Sequence, residues 1–457
     1  MRYATSSPER NKHAYKAQLV SGRARICYTL SMTDKEPKGQ ALSTDPYKGV
    51  RDFYPTDWAQ LQAVFDVIRK KLKSYGYEEY NASPLEPAEL YESKTSEEIV
   101  NEQTFTFTDR GDRRVTLRPE MTPSFARMVA GKKRELVFPV RWFNIGNRFR
   151  YERPQKGRLR EFFQIDVDMV GVADASADGE IIVIASELLK AFGAFDGDFT
   201  IRVNSRALLN TATTALAYTP DECKEYLGLL DRKAKMSAED FEAKRAPFRK
   251  DGKDALELIE QGGNVAVADE KAKLDGLLAS FEERGMNNVV FDPTIVRGFL
   301  YYTGTVFEIY DTNPENPRAL FGGGRYDNLL SLFGGEPIPA MGFAIGDVTL
   351  VDFLTTHGHL PKATSAPQVF LGTPSLEDIG AAQEFATTLR EHGLSVLVNV
   401  SGKGLGDQIK EASRRGIPYF IAYGQNELSS GMLKIKRLET GEEEELPAGG
   451  VLSFINE

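Results

Sequence analysis

Phe163-Gln164-Ile165-Asp166-Val167-Asp168-Met169 alternates apolar and polar side chains without a break. Successive side chains of an extended chain point to opposite faces, so this pattern predicts a strand carrying Gln164, Asp166 and Asp168 on one face. Upstream, Arg148, Arg150 and Glu152 alternate with Phe149 and Tyr151 in the same way. Between them lies Arg153-Pro154-Gln155-Lys156-Gly157-Arg158-Leu159-Arg160, a turn with four basic residues. The expectation is an antiparallel hairpin over residues 140–171 that sets arginines beside carboxylates under a cationic loop. Arginine forks bind phosphate oxygens in pairs. Carboxylates hold an ammonium or an imidazole N–H. By itself the stretch reads equally well as a solvated hairpin face with ordinary ion pairs.

Outward from the hairpin, Trp58, Leu61, Phe65, Ile68, Leu72 and Tyr75 recur at helical spacing. They predict a helix over 57–75, capped by Thr56 or Asp57 and ended by Gly76. Tyr80 to Pro84 reads as a strand running into a loop. Residues 206–290 turn rich in Lys, Glu, Asp and Ala, with breaks at Pro220, Pro247 and Gly262–Gly263. They predict a helical insertion between two stretches of strand. Residues 352–366 read as a linker. Residues 367–457 alternate strand (369–371), helix (376–391), strand (396–400), helix (407–415) and strand (419–423), as a small α/β domain does. Residues 1–45 are expected to be a disordered or spurious extension. Their first 31 positions are basic and acid-poor, like some targeting segments, but have no clean amphipathic period.

The chain has 457 residues, length for about three domains. Hydrophobic residues make up 41% and charged residues 27%, ordinary for a globular protein. No run approaches about 18 apolar residues, which argues against a membrane-spanning helix. Cys27 and Cys223 make no disulfide framework and fit a reducing cytoplasm. The net charge of −9 does not advertise a nucleic-acid binder; a local basic patch suffices for RNA. Of the four histidines, His13, His357, His359 and His392, none lies between residues 46 and 350. A Cys/His metal cluster within that stretch is excluded. Its chemistry must rest on Arg, Lys, Asp, Glu, Tyr or backbone groups. Gly402-Lys403-Gly404-Leu405-Gly406 lacks the ending of a phosphate-binding P-loop.

Phe149-Arg150-Tyr151-Glu152-Arg153-Pro154-Gln155-Lys156-Gly157-Arg158 resembles motif 2 of class II aminoacyl-tRNA synthetases, in the form typical of histidine–tRNA ligases. Thr116-Leu117-Arg118-Pro119-Glu120-Met121-Thr122 resembles another segment of that family. Val296 to Gly304 and Gly322-Gly323-Gly324-Arg325-Tyr326-Asp327 resemble its two histidine-specific signatures. Lys48 to Asp52 and the 57–75 helix resemble motif 1, which builds a dimer interface in class II enzymes. The resemblance runs from about Tyr47 to Glu457. Each segment alone has an ordinary packing explanation; together and in order they do not.

The resemblance implies an α+β catalytic domain (46–355) on an antiparallel sheet, with a helical insertion, followed by an α/β anticodon-binding domain (366–457). It implies a cytoplasmic homodimer that ligates L-histidine to tRNA(His) through a histidyl-adenylate, with ATP and Mg²⁺. Arg150 and Arg297 would be catalytic, flanking the α-phosphate. Glu120, Met121, Thr122, Gln164, Asp168, Tyr301 and Tyr302 would bind histidine. Glu152 and Arg158, with both arginines, would bind ATP. Arg153, Gln155, Lys156 and Arg160 would meet the tRNA acceptor end. Two positions depart from the family pattern: Thr349 stands where motif 3 has an arginine, and Leu300 where an aspartate is usual. The competing readings are a non-catalytic histidine-binding paralogue, such as the regulatory subunit of ATP phosphoribosyltransferase, and a ligase for another substrate. The 367–457 module speaks against the first and the imidazole-pocket matches against the second.

Overall fold

The computed structural model describes residues 42–92, 103–153, 157–233, 236–297 and 301–456. Most of the expected extension, together with Gln155, Lys156 and Leu300, lies outside them.

Helix α1 spans Pro55–Ser74 and buries Leu61, Val64, Phe65, Ile68 and Leu72. Its start differs from the expectation. Tyr54 occupies the cap position and Pro55 opens the first turn, where proline's fixed φ suits a helix. Neither Thr56 nor Asp57 caps it. Gly76, at φ +78°, does follow its end. Strand β1 is only Glu78–Glu79. A small sheet follows, of β2 (Leu85–Pro87), β3 (Phe105–Thr108) and β4 (Arg114–Leu117), with the short helix α2 (Glu89–Glu92) between. Helix α3 (Thr122–Lys132) leads to the predicted hairpin, β5 (Val140–Phe149) and β6 (Glu161–Val170). Their register pairs Asn144 with Asp166 and Trp142 with Asp168.

Helix α4 (Ala175–Lys190) packs beneath, capped by Asp174, whose side chain accepts from Ser176 N–H. After β7 (Phe199–Ser205) come five helices: α5 (Arg206–Ala215), α6 (Pro220–Asp231), α7 (Ala238–Arg245), α8 (Ala255–Gln261) and α9 (Val265–Glu282). The expected breaks fall at their joints. Pro220 opens α6 behind a Thr219–Glu222 capping box, and Gly262 and Gly263 take positive φ between α8 and α9. The insertion does not fold apart. Leu208, Tyr226, Phe241 and Phe281 are buried in the same core as α1 and α4. Then come β8 (Val289–Phe291), β9 (Thr305–Asp311), β10 (Ala319–Arg325), β11 (Ala340–Gly346) and α10 (Asp347–Thr356).

The main sheet runs β1-β5-β6-β11-β10-β9-β7-β8. Its six central strands are antiparallel, and the parallel pairs β1/β5 and β7/β8 close its edges. Two rows across it matter. One reads Asp168–Gly342–Gly324–Val306, the other Asp166–Ala344–Gly322–Glu308. Small residues thus form a floor with carboxylates at its sides. Gly323 faces the other way, and a Cβ there would collide with the Gly342 carbonyl and the Phe343 backbone. No larger residue fits where the two strands pack so closely.

The C-terminal module has its own sheet, order β13-β12-β14-β15-β16, and its own core. Its elements are β12 (Val369–Gly372), α11 (Ile379–Glu391), β13 (Val396–Val398), α12 (Leu405–Arg414), β14 (Tyr419–Ala422), α13 (Gln425–Ser430), β15 (Met432–Arg437), β16 (Glu443–Pro447) and α14 (Val451–Asn456). The last four were not expected. Strand β16 opens with three glutamates and buries only Leu446, and so has no apolar period to read. No helix of the described residues is long and apolar enough to cross a membrane.

Candidate active site

The floor of small residues lies under a cavity of about 310 Å³. Three segments wall it. Glu120 comes from the turn between β4 and α3, where Pro119 breaks the strand, and Thr122 opens α3. Arg150, Arg158, Gln164 and Asp168 come from the hairpin. Arg297, Tyr301 and Tyr302 come from the approach to β9.

Polar groups are oriented before any ligand arrives. Tyr301 Oη donates to Glu120 Oε2 at 3.1 Å. Gln164 Nε2 donates to Asp166 Oδ1 at 2.7 Å. Asp166 is held in turn by the fully buried Arg148, at 2.5 Å. The alternating pattern located this polar face, but it is not solvated: from Gln164 to Val170 every residue of β6 is buried.

Asp168 Oδ1 accepts a hydrogen bond from Tyr326 Oη, while its Oδ2 is buried without a partner. Burial pushes the Asp168 carboxyl up to about 8; the Tyr326 hydroxyl opposes the shift and the charge of Asp166 adds to it. The folded protein therefore keeps a proton that the unfolded chain releases. The resulting cost to stability is absent in acid, grows as pH rises from about 4, and is complete above about 8. Asparagine at 168 keeps the shape and an acceptor for Tyr326. Between about pH 5 and pH 8, the thermal midpoint of the unliganded wild type should fall relative to that of Asp168→Asn. Parallel curves would rule out a raised Asp168.

On the opposite side, Arg297 Nη1 donates to Glu308 Oε1 at 3.2 Å. Its backbone takes φ +52°, uncommon outside glycine. A Cβ on Gly322 would strike its guanidinium, so the glycine makes its seat. Arg150 Nε donates to Pro119 O at 2.9 Å, and its guanidinium lies 5.3 Å from the Phe162 ring centre. Its remaining N–H groups are left for the cavity. Glu152 lines an adjoining hollow of about 170 Å³ and pairs with Arg158 at 2.9 Å.

Not every predicted residue reaches the cavity. Met121 is fully buried, with its Sδ against Arg118 Nη1 at 3.7 Å. Arg153 is exposed at the edge of the loop. Arg160 is tied down at the loop's base: its guanidinium lies 3.9 Å from the Tyr151 ring centre and donates to Tyr47 Oη. Sequence reasoning missed Tyr326 as a partner of Asp168 and Glu308 as a partner of Arg297. Tyr326 stood in a quoted signature. Glu308 carried no signal until strand register set it beside Gly322.

A family model described as Histidyl-tRNA synthetase matches residues 49–349. The chain belongs to the histidyl-tRNA synthetase family. This member also matches a model described as Anticodon binding domain over residues 369–457. A Histidine--tRNA ligase of Leptospira biflexa is 40% identical over 413 residues, covering 87% of this chain and 94% of the relative. One from Halobacterium salinarum is 36% identical over 415 residues, covering 88% and 96%. Among solved structures, the histidyl-tRNA synthetase of Nostoc sp. PCC 7120 superposes with TM-score 0.72 at 24% identity, over 91% of this chain and 99% of that one. That last likeness concerns the fold. Family membership makes the chain an aminoacyl-tRNA ligase that uses ATP, with a catalytic domain on a largely antiparallel sheet and a separate anticodon-binding domain.

Proposed function

We propose that the chain activates L-histidine with ATP and transfers it to tRNA(His). The observation that carries this reading is the single cavity in which Glu120, Thr122, Gln164, Asp168, Tyr301 and Tyr302 face Arg150, Arg158 and Arg297. Glu120 and Thr122 would take the α-ammonium. Gln164 and Asp168 would meet the two imidazole nitrogens, and amino acids without them would leave buried polar groups unpaired. The unpartnered Asp168 Oδ2 suits an imidazole nitrogen.

The histidine carboxylate oxygen would then attack the α-phosphorus, with pyrophosphate leaving. Arg150 and Arg297 would stabilise the charge gathering on the α-phosphate. Glu152 and Arg158 would hold the rest of the nucleotide. A terminal ribose hydroxyl of tRNA(His) would next attack the acyl carbon, with AMP leaving. Arg153, Gln155, Lys156 and Arg160 belong to the loop assigned to the acceptor end. The Arg160 side chain holds that loop's base, so its contribution is to position the loop. The described residues place no group of three carboxylate, histidine or cysteine side chains to grip a metal ion. No step is assigned to Mg²⁺; it would enter with ATP's phosphates, which need only one or two protein carboxylates beside them. The cytoplasm is the compartment where these substrates meet.

The test is ATP–pyrophosphate exchange with each amino acid in turn, followed by charging of tRNA(His). Exchange with histidine alone supports the reading. A folded protein that binds histidine yet exchanges with no amino acid would overturn it. A homodimer is part of the same proposal: Tyr54 and Trp58, at the start of α1, are 73% and 40% exposed. Large exposed aromatics mark contact surfaces. Sedimentation should give twice the chain mass, and Tyr54→Glu with Trp58→Glu should shift it toward the monomer. A monomeric wild type at micromolar concentration would exclude this arrangement.

A further inference from the structure

Beyond the main cavity, the floor opens outward into two hollows. The inner one, about 170 Å³, is bounded by Arg150, Phe162, Val348 and Thr349 among others. The outer one, about 320 Å³, is bounded by Pro317, Arg318, Leu320 and Thr349 among others. The two share Gly157 and Thr349, while Arg150 and Leu320 also line the main cavity. One continuous slot therefore leads away from the arginine cluster.

The slot's chemistry changes along its length. Its inner end offers the ring of Phe162. Its middle offers no free donor from Thr349, whose hydroxyl hydrogen is shared between the carbonyls of Leu320 at 2.8 Å and Gly346 at 3.1 Å. The Thr349 methyl faces Gly157. The outer end carries the carboxylates Glu315 and Asp352, which repel a phosphate, and one cation among its described residues, Arg318. An uncharged planar group joined to an anionic chain matches this order of walls.

With the adenine ring of ATP in this slot, we propose that Arg318, from the turn before β10, lays its guanidinium against the ring where Thr349 supplies only a methyl. The assignment rests on the reading of the main cavity as an ATP site. A planar guanidinium stacks on an aromatic face more effectively than an ammonium. Sequence spacing hides the arrangement: residues 318 and 349 line one hollow, and Thr349 is tied to that wall through the Leu320 carbonyl.

The experiment compares wild type, Arg318→Ala and Arg318→Lys in ATP–pyrophosphate exchange. Equilibrium dialysis with labelled ATP accompanies it, and inorganic tripolyphosphate serves as an inhibitor without a base. Arg318→Ala should raise the KM for ATP about 2- to 30-fold, the range of one cation–π contact. Arg318→Lys should fall between. The KM for histidine and the inhibition constant of tripolyphosphate should stay within twofold. ATP binding as tight in Arg318→Ala as in wild type would overturn the assignment alone. So would a parallel loss of tripolyphosphate affinity, which would place Arg318 on phosphate, or a parallel rise in the KM for histidine, which would make its role structural. A wild type that binds no ATP would overturn both this assignment and the reading beneath it.

Discussion

Arg150→Ala should lower kcat for histidine-dependent exchange by about 10²–10³, equivalent to about 2.7–4 kcal/mol, the usual cost of removing one oriented donor from a transition state. The geometry accounts for the size. Arg150 is fixed at both edges, by its bond to Pro119 O and by its place over Phe162. Arg150 therefore lines the cavity already held, with little ordering left for the moment of reaction. The KM for histidine should change little, because the amino-acid pocket is built by Glu120, Gln164 and Asp168. Arg150→Lys should recover only part of the loss, since an ammonium cannot keep the Pro119 bond and also fork onto a phosphate. Steady-state exchange measures both parameters. A kcat within about threefold of wild type would remove Arg150 from the reaction.

Arg148→Met should destabilise the protein by about 3–5 kcal/mol, because it strands the buried Asp166 carboxylate. Arg148 has no exposed surface and bonds Asn144 Oδ1 at 2.8 Å, Asn147 O at 2.9 Å and Asp166 Oδ2 at 2.5 Å. The effect should reach the site, since Asp166 also accepts from Gln164. Adding Asp166→Leu removes the stranded charge and should return much of the stability, as apolar replacements of buried ion pairs often do. Histidine affinity should stay low in the double variant, because Gln164 has lost its orienting partner. Urea unfolding and histidine titration separate the two effects. A loss below about 1 kcal/mol in the single variant would mean that water reaches Asp166.

The hairpin was legible because a period of two is a local property of an extended chain: 163–169 fixed which side chains share a face. The α1 stripe was legible for the corresponding helical reason. Its cap was misplaced because Pro55 suits a first turn as well as Thr56 suits a cap. Strand β16 escaped notice because tertiary pairing with β15, and no pattern of its own, makes it a strand.

The sequence by itself determined the hairpin, the α1 stripe, the polar face of β6, the glycines of β10 and the family. These depend on neighbours along the chain or on motifs preserved as strings. Tertiary structure alone decided that this face is buried, that Met121 turns into the core, and that Glu308 stands beside Arg297. It also set Tyr326 against Asp168. Each depends on how segments pack and in what register, over separations from 11 residues for Arg297 and Glu308 to 158 for Tyr326 and Asp168. Hydrogen-bond partners, and with them the raised carboxyl of Asp168, exist only once that packing has excluded water.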